Sequence, residues 1–214
     1  KKIKRIRYTT SHPNNFDEQI YQAYKKIPQL VSHLHLPIQS GSDRVLSAMK
    51  RGYTVLEYKS VIRKLLEARP DITFSSDFIV GFPGETEEDF LKTIDVIKDL
   101  KFDQSYSFIY SKRPGTPASM LKDDVSMEEK KERLNFLKET INQLSKNKSK
   151  LIVGGKEEIL VESISSKYNN MVLGRTRNNK LISVPGNKNL IGKIIDVKIT
   201  ELSNRSLKGE IINI

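Results

Sequence analysis

The hydrophobic pattern of this chain has two periods, each confined to its own part of the length. Up to about residue 147, segments of strand-like alternation take turns with segments of helical spacing. Ile3, Arg5 and Arg7 alternate against Lys4, Ile6 and Tyr8, which predicts a strand over Ile3–Tyr8. Val31–Ile38 reads as a second strand, Ile72–Val80 as a third and Gln104–Tyr110 as a fourth. The spacing predicts a helix over Asp17–Lys26, stopped before Pro28, and another over Leu56–Glu67. Thr54…Glu57 has the form of a capping box for the latter, and Pro70 closes it. Thr86…Asp89 opens a helix with Phe90, Ile94 and Ile97 on one face. Ser126…Glu129 caps a long one with Leu134, Leu137, Ile141 and Leu144 in a single stripe.

Strands alternating with helices predict βα units and a parallel sheet, with right-handed crossovers that bring all strand C-terminal ends to one side. Ligands bind on that side in barrels and open sheets alike. The unusual sequences fall there: His12-Pro13, Gln39-Ser40-Gly41-Ser42, Gly81-Phe82-Pro83-Gly84-Glu85 and Arg113-Pro114-Gly115-Thr116. Four strands do not close such a barrel, so either the sheet is open or neighbouring strands are missing.

Beyond Lys148 the helical period disappears. Short strands are predicted over Glu158–Ser163, Met171–Arg175, Leu181–Val184, Lys193–Thr200 and Leu207–Ile212. In the fourth, Ile195, Val197 and Ile199 alternate with Asp196, Lys198 and Thr200. Arg177-Asn178-Asn179-Lys180 reads as a tight hairpin connection. Five short strands suggest a small closed β-barrel of OB size. The fold class is therefore α/β over 1–147, with a sheet that is open or lacks neighbouring strands, followed by a small all-β barrel over 148–214.

Charge sharpens the division. The 214 residues carry 37 Lys and Arg against 26 Asp and Glu, a formal charge of +11. Residues 148–214 alone hold 12 basic and 6 acidic residues. That surplus favours a polyanionic partner, nucleic acid before membrane. No apolar run approaches the roughly 18 residues of a membrane span, which predicts a soluble protein. The chain has no cysteine, which removes disulfides, Cys-ligated zinc, thiol nucleophiles and any cluster held by its own thiolates.

Each candidate residue has a plain structural alternative. The Gly81–Thr86 loop could let a ligand approach the backbone near a helix N-terminus, or be a glycine turn with a Thr86 cap. It fits neither a phosphate-cradling P-loop nor a dinucleotide fingerprint. Ser75, Ser76 and Asp77 interrupt an apolar strand and need partners, from a ligand or from neighbouring elements. Gln39 and Ser40 could bond a polar cofactor edge, while Ser42 suits an N-cap. His33 and His35 share a strand face, but two imidazoles make a poor zinc site, and satisfied interior histidines are the alternative. His12 sits at a strand exit. In the basic tail, Arg175, Arg177, Lys180, Lys188, Lys193, Arg205 and Lys208 are candidate RNA contacts, against the alternative of a solvated surface. With only Tyr168 as a stacking platform, backbone contact is expected over base reading.

These motifs together resemble the methylthiotransferase branch of the radical-SAM enzymes. The likeness lies in Ser11-His12-Pro13, in His35-Leu36-Pro37-Ile38-Gln39-Ser40-Gly41-Ser42-Asp43-Arg44-Val45-Leu46, in Ser75-Ser76-Asp77-Phe78-Ile79-Val80-Gly81-Phe82-Pro83-Gly84-Glu85-Thr86, in Ser105–Ser111 and in Arg113-Pro114-Gly115-Thr116-Pro117. The basic tail resembles the TRAM domain, the RNA-binding barrel that closes those proteins. The resemblance implies a partial radical-SAM barrel and a tRNA methylthiotransferase that modifies isopentenyladenosine beside the anticodon. Sister branches act on threonylcarbamoyl-adenosine in tRNA or on a ribosomal-protein aspartate. Outside this class stand a non-catalytic RNA-binding protein and a cluster-free βα enzyme acting on a phosphorylated small molecule.

The resemblance also implies the cofactors and partners. They are S-adenosylmethionine, two 4Fe–4S clusters in the family at full length, tRNA, an electron donor, a cytoplasmic setting and no membrane. Gln39, Ser40, Ser76, Asp77 and Arg113 would lie near S-adenosylmethionine. The cluster cysteines of the family are absent here, so the chain is expected to be a C-terminal portion, inactive alone, with no metal ligands of its own.

Overall fold

The computed structural model describes residues 3–9, 12–166, 170–203 and 206–213. Two compact units divide between Ser145 and Lys146. The first contains helices α1 (Glu18–Lys26), α2 (Asp43–Ala48), α3 (Val55–Ala68) and α4 (Glu87–Leu100), with strands β1 (His33–His35), β2 (Thr73–Ser75), β3 (Asp77–Val80) and β4 (Tyr106–Ile109). Helix α5 spans Met127–Leu151.

The strands of this unit are parallel. β1 pairs with β2, His33 opposite Thr73 and His35 opposite Ser75, and β3 pairs with β4, Asp77 opposite Tyr106. Backbone bonds join the two pairs: Leu36 N–H donates to Ser75 O at 2.8 Å and Ile79 N–H to Gln39 O at 2.9 Å. β2 and β3 therefore lie end to end along one line, with the chain from β1 to Gln39 on one side of it and β4 on the other.

Two strand expectations are corrected. The strand expected over Ile3–Tyr8 contracts to a bridge between Ile6 and Leu30, with Ile3 largely exposed. The run expected over Ile72–Val80 breaks at Ser76. There the Ser76 hydroxyl accepts the Ile38 N–H at 2.9 Å, and the Ser105 hydroxyl accepts the Ser76 N–H at 3.0 Å. Two side chains replace carbonyls in the ladder, so every donor is satisfied while the regular strand stops.

Strand parity sorts the side chains. Leu34, Leu36, Phe74, Phe78 and Val80 are buried beneath the helices with Tyr58, Ile62, Phe90, Ile94, Ile97, Phe102 and Leu137. His33, His35, Thr73, Ser75, Asp77, Ile79, Tyr106 and Phe108 take the opposite parity. Both capping boxes form, Thr54 with Glu57 and Thr86 with Asp89. Ser126 accepts the Glu129 N–H at the start of α5.

The second unit is a closed barrel of β5 (Lys156–Ile164), β6 (Met171–Thr176), β7 (Leu181–Pro185), β8 (Ile194–Leu202) and β9 (Leu207–Asn213). The order around it is β5-β6-β7-β9-β8, closed by a parallel β7–β9 pair. Ile195, Val197 and Ile199 point inward against Ile159, Val172, Ile182 and Val184. The β6–β7 hairpin turns through Asn179 at φ +66°, where asparagine tolerates the left-handed conformation.

Gly41 shows how tightly α4 closes on the sheet. A Cβ there would lie 2.4 Å from Lys92 O and 2.5 Å from Thr93 Cα, both backbone atoms. Gly41→Ala is therefore expected to lower the stability of the chain by about 1–3 kcal/mol. Urea unfolding followed by circular dichroism measures it, and an unchanged midpoint would contradict this packing.

Candidate functional site

The side chains near the strand C-terminal ends border a cavity of about 690 Å³, within the roughly 300–1,000 Å³ of small-molecule sites. Gln39, Asp77 and Arg113 line it together with the apolar walls of Ile79, Phe82 and Phe108. Gln39 is placed by its backbone, held at φ +77° between the Asp77 carbonyl and the Ile79 N–H. Asp77 is oriented by His35, whose Nε2 lies 3.4 Å from its carboxylate, and His35 meets the Tyr106 ring edge-on. The Ser75 hydroxyl joins His35 Nδ1 at 2.9 Å and His33 Nε2 at 3.1 Å, so both histidines are satisfied by neighbours. Tyr110 also lines the cavity, and its hydroxyl is buried without a hydrogen-bond partner in the structure.

Ser40 and Ser76 lie elsewhere. Both are fully buried, and neither lines the cavity. The Ser40 hydroxyl accepts the Ser42 N–H, and Ser76 takes the Ile38 N–H. Ser42 caps α2, as its position predicts. His12 caps a 3₁₀ turn at Pro13–Asn15 and packs 4.9 Å from Tyr53. Ser11 lies outside the described residues.

Buried charge fixes the two loops that follow β1 and β3. Asp89, in the first turn of α4, accepts from the Ser42 hydroxyl at 2.6 Å, from the Thr86 hydroxyl at 2.8 Å and from Arg44, which also reaches Gly84 O. Burial opposes ionisation of Asp89, but the bonds from Arg44, Ser42 and Thr86 outweigh it and hold the carboxyl well below its ordinary value. Glu85 is buried too. Desolvation raises it, against the Gly81 N–H and Arg133, which lower it. Arg133 Nη1 lies 2.8 Å from Glu85 Oε1, and Lys130 is paired with Asp123 at 2.6 Å. Gly81, at φ +66°, passes so close to Lys130 that a Cβ would fall 2.2 Å from its Cγ. The Gly81–Thr86 segment is thus a glycine turn with a Thr86 cap, and it brings Phe82 to the cavity.

On the barrel, Arg175 pairs with Glu162 across β5–β6 at 3.2 Å and bonds the Asn179 carbonyl, which draws it into the hairpin. Lys180 is buried and Lys208 pairs with Glu201 at 3.0 Å. Lys188 and Lys193 are exposed, and Arg177 is half-buried in the hairpin turn. Arg205, Lys167 and Tyr168 lie outside the described residues.

Two cavity residues escaped the motif reading. Lys50 and Arg51 also line it, from the turn between α2 and α3. The signal available in sequence was an adjacent cation pair before Gly52, indistinguishable there from a solvated turn.

Residues 1–97 match the family described as the Radical SAM superfamily, and residues 150–212 match the TRAM domain. The chain is 57% identical over 210 residues to the tRNA-2-methylthio-N(6)-dimethylallyladenosine synthase of Francisella philomiragia. It is 55% identical to that of Francisella tularensis subsp. novicida. Each match covers 98% of this chain and 48% of the relative, so the chain spans about half the length of the curated relatives it matches. Among solved structures, Escherichia coli coproporphyrinogen III oxidase, titled a radical SAM enzyme, matches with TM-score 0.50 at 12% identity over 95% of this chain and 50% of that one. That likeness speaks for the fold alone.

The depressed Asp89 carboxyl contributes stability that is present above the unfolded value of about 3.9 and lost as pH falls through its lower folded value. Asp89→Asn is expected to cost about 2 kcal/mol at neutral pH and to flatten the loss of stability below about pH 4. Urea melts of both proteins across that range measure it, and equal acid slopes would remove the carboxylate from this role.

Proposed function

We propose that the chain is a member of the radical-SAM superfamily with a TRAM domain after its βα region, and that it forms the substrate wall and RNA-binding barrel of a tRNA methylthiotransferase acting on isopentenyladenosine. The observation that carries this reading is a ligand-sized cavity at the strand C-terminal ends, encoded in one chain with a basic five-stranded barrel. The named Francisella relatives supply the substrate class.

Two cofactors follow from the family, and they meet different tests. Iron–sulfur clusters are held by thiolates, and this chain has no cysteine. Its residues do not fit a cluster, and both 4Fe–4S clusters of the family would need ligands from outside these 214 residues. S-adenosylmethionine fits the cavity better, because that cavity offers a carboxylate, an amide, a guanidinium and aromatic walls. When bound, it would supply the methyl group and the precursor of the hydrogen-abstracting radical.

The chain's own residues then bind and orient. Asp77, aimed by His35, accepts from a ribose hydroxyl or an exocyclic amine. Gln39 can donate and accept at a purine edge. Arg113 offers a planar fork to a carboxylate. Ile79, Phe82 and Phe108 exclude water from the reacting face. Ser40 and Ser76 support the loop and strand that present Gln39 and Asp77. The partners of this reading are tRNA and an electron donor, in the cytoplasm and away from membrane. No helix among the described residues is long and apolar enough to cross one.

In cells whose gene carries Asp77→Asn, nucleoside analysis of tRNA is expected to show the 2-methylthio product falling at least about tenfold while isopentenyladenosine accumulates, as for loss of one charge-assisted contact. An unchanged product ratio would contradict the reading. Lys188→Ala and Lys193→Ala are expected to weaken binding of a tRNA stem–loop and each to flatten its salt dependence by about 0.7 log units per log unit of salt. Arg175→Ala, whose charge Glu162 already meets, should change it less.

A further inference from the structure

We propose that Lys50 and Arg51 form an anion seat at the mouth of the cavity, and that its ligand is a backbone phosphate of the RNA strand flanking the target nucleotide; this rests on the RNA reading above. The seat is built by the turn that ends α2. Lys50 N–H donates to Ser47 O and Arg51 N–H to Leu46 O, both at 3.0 Å. That closure puts Lys50 at φ +59°, followed by Gly52 at φ +70°. Glycine or asparagine would take that left-handed position with less strain than lysine.

Charge balance points the same way. Several cations of this unit meet carboxylates: Arg44 with Asp89, Lys59 with Asp99, Lys92 with Glu88, Lys130 with Asp123 and Arg133 with Glu85. No carboxylate of the described residues pairs with Lys50 or Arg51. The two acids near the turn are engaged with backbone donors, Asp43 with Val55 N–H and Glu57 with Thr54 N–H, each at 2.7 Å. Lys50 borders both the cavity and the recess that holds these acids, which puts it on the lip.

Arg51 is pre-oriented. Its Nε donates to the Tyr53 hydroxyl at 3.2 Å, and its guanidinium lies 5.7 Å from the centre of the Tyr53 ring. Tyr53 is itself buried and donates to Ile38 O at 2.9 Å, and His12 packs against its ring. Burial and the Arg51 charge lower the His12 pKa, so that ring stays neutral near pH 7. The terminal guanidinium nitrogens remain available for a ligand. A point-charge lysine beside a fixed planar fork suits a tetrahedral oxyanion. A small-molecule carboxylate would satisfy the same charges, but the exposed position of Lys50 favours a strand passing over the lip.

The test uses the full chain and a fluorescent RNA stem–loop with the target adenosine in its loop, titrated at several salt concentrations. Lys50→Asn keeps a residue that tolerates the backbone, and Arg51→Gln removes the charge. Each is expected to weaken binding about three- to tenfold and to reduce the salt slope by about 0.7. A methylphosphonate beside the adenosine should weaken the unaltered chain by a similar factor and Arg51→Gln hardly at all. If both variants bind like the unaltered chain while Lys188→Ala and Lys193→Ala weaken binding, the seat is refuted and the RNA reading stands. If the unaltered chain binds no RNA, both fall. If the effects of Arg51→Gln and of each neutral linkage simply multiply, no phosphate is seated there. Loss of S-adenosylmethionine binding with RNA binding intact would reassign the seat to a carboxylate and overturn the proposal.

Discussion

A buried carboxylate, Asp89, holds the start of α2 to the start of α4, and the loops that shape the cavity inherit their positions from it. Ser42, Arg44 and Thr86 converge on its two oxygens. A carboxylate removed from water must be paired and bonded, or it takes up a proton. Here the pairing is distributed over two loops, so neither can shift without leaving part of the charge unmet. Arg44 extends the tie to the Gly84 carbonyl. Glu85 and Arg133 then secure the same loop from α5. The two loops that border the cavity are thus tied together by buried charge as well as by apolar packing.

The second determinant is parity. Adjacent strand residues face opposite ways, so a run such as Phe74-Ser75-Ser76-Asp77-Phe78 would place Ser76 with the phenylalanines in a regular strand. Ser76 solves its own burial by taking a backbone donor from Ile38 and giving its N–H to Ser105. The alternation then continues, and Asp77 and Ile79 share a face with Tyr106 and Phe108. A polar residue in the apolar layer thus costs a regular strand but preserves the register that presents Asp77.

The elements were legible where the chemistry is local. Thr54 and Glu57 form the box their spacing predicts, and Ser42 and Thr86 cap as expected. The Ile195, Val197 and Ile199 alternation reports the barrel interior directly. Legibility fails where partners are distant in sequence. Nothing near Ser40 predicts a place beside Thr93, and nothing near Arg175 predicts a bond to Glu162. Lys50 and Arg51 read as an ordinary basic turn, because what singles them out is the cavity they border, which no local spacing encodes. The strand expected over Ile3–Tyr8 failed for a related reason. Periodicity states that a segment could pair, while pairing needs neighbours, and the described neighbour of Ile6 is the segment around Leu30.

In the proposed reading the two units divide the work of recognition. Exposed lysines such as Lys188 and Lys193 would attract phosphate without reading sequence, a contribution that falls with salt. The cavity has a different currency. In the proposed reading Gln39 and Asp77 discriminate among polar edges, because leaving either unmet inside a partly buried site carries a desolvation cost. Affinity from the barrel therefore need not bring specificity, and specificity in the cavity need not bring affinity. The proposed cation pair at the lip would act on the backbone, yet only on the nucleotide that has entered. It would thereby favour strands whose base fits the cavity over strands that merely carry charge.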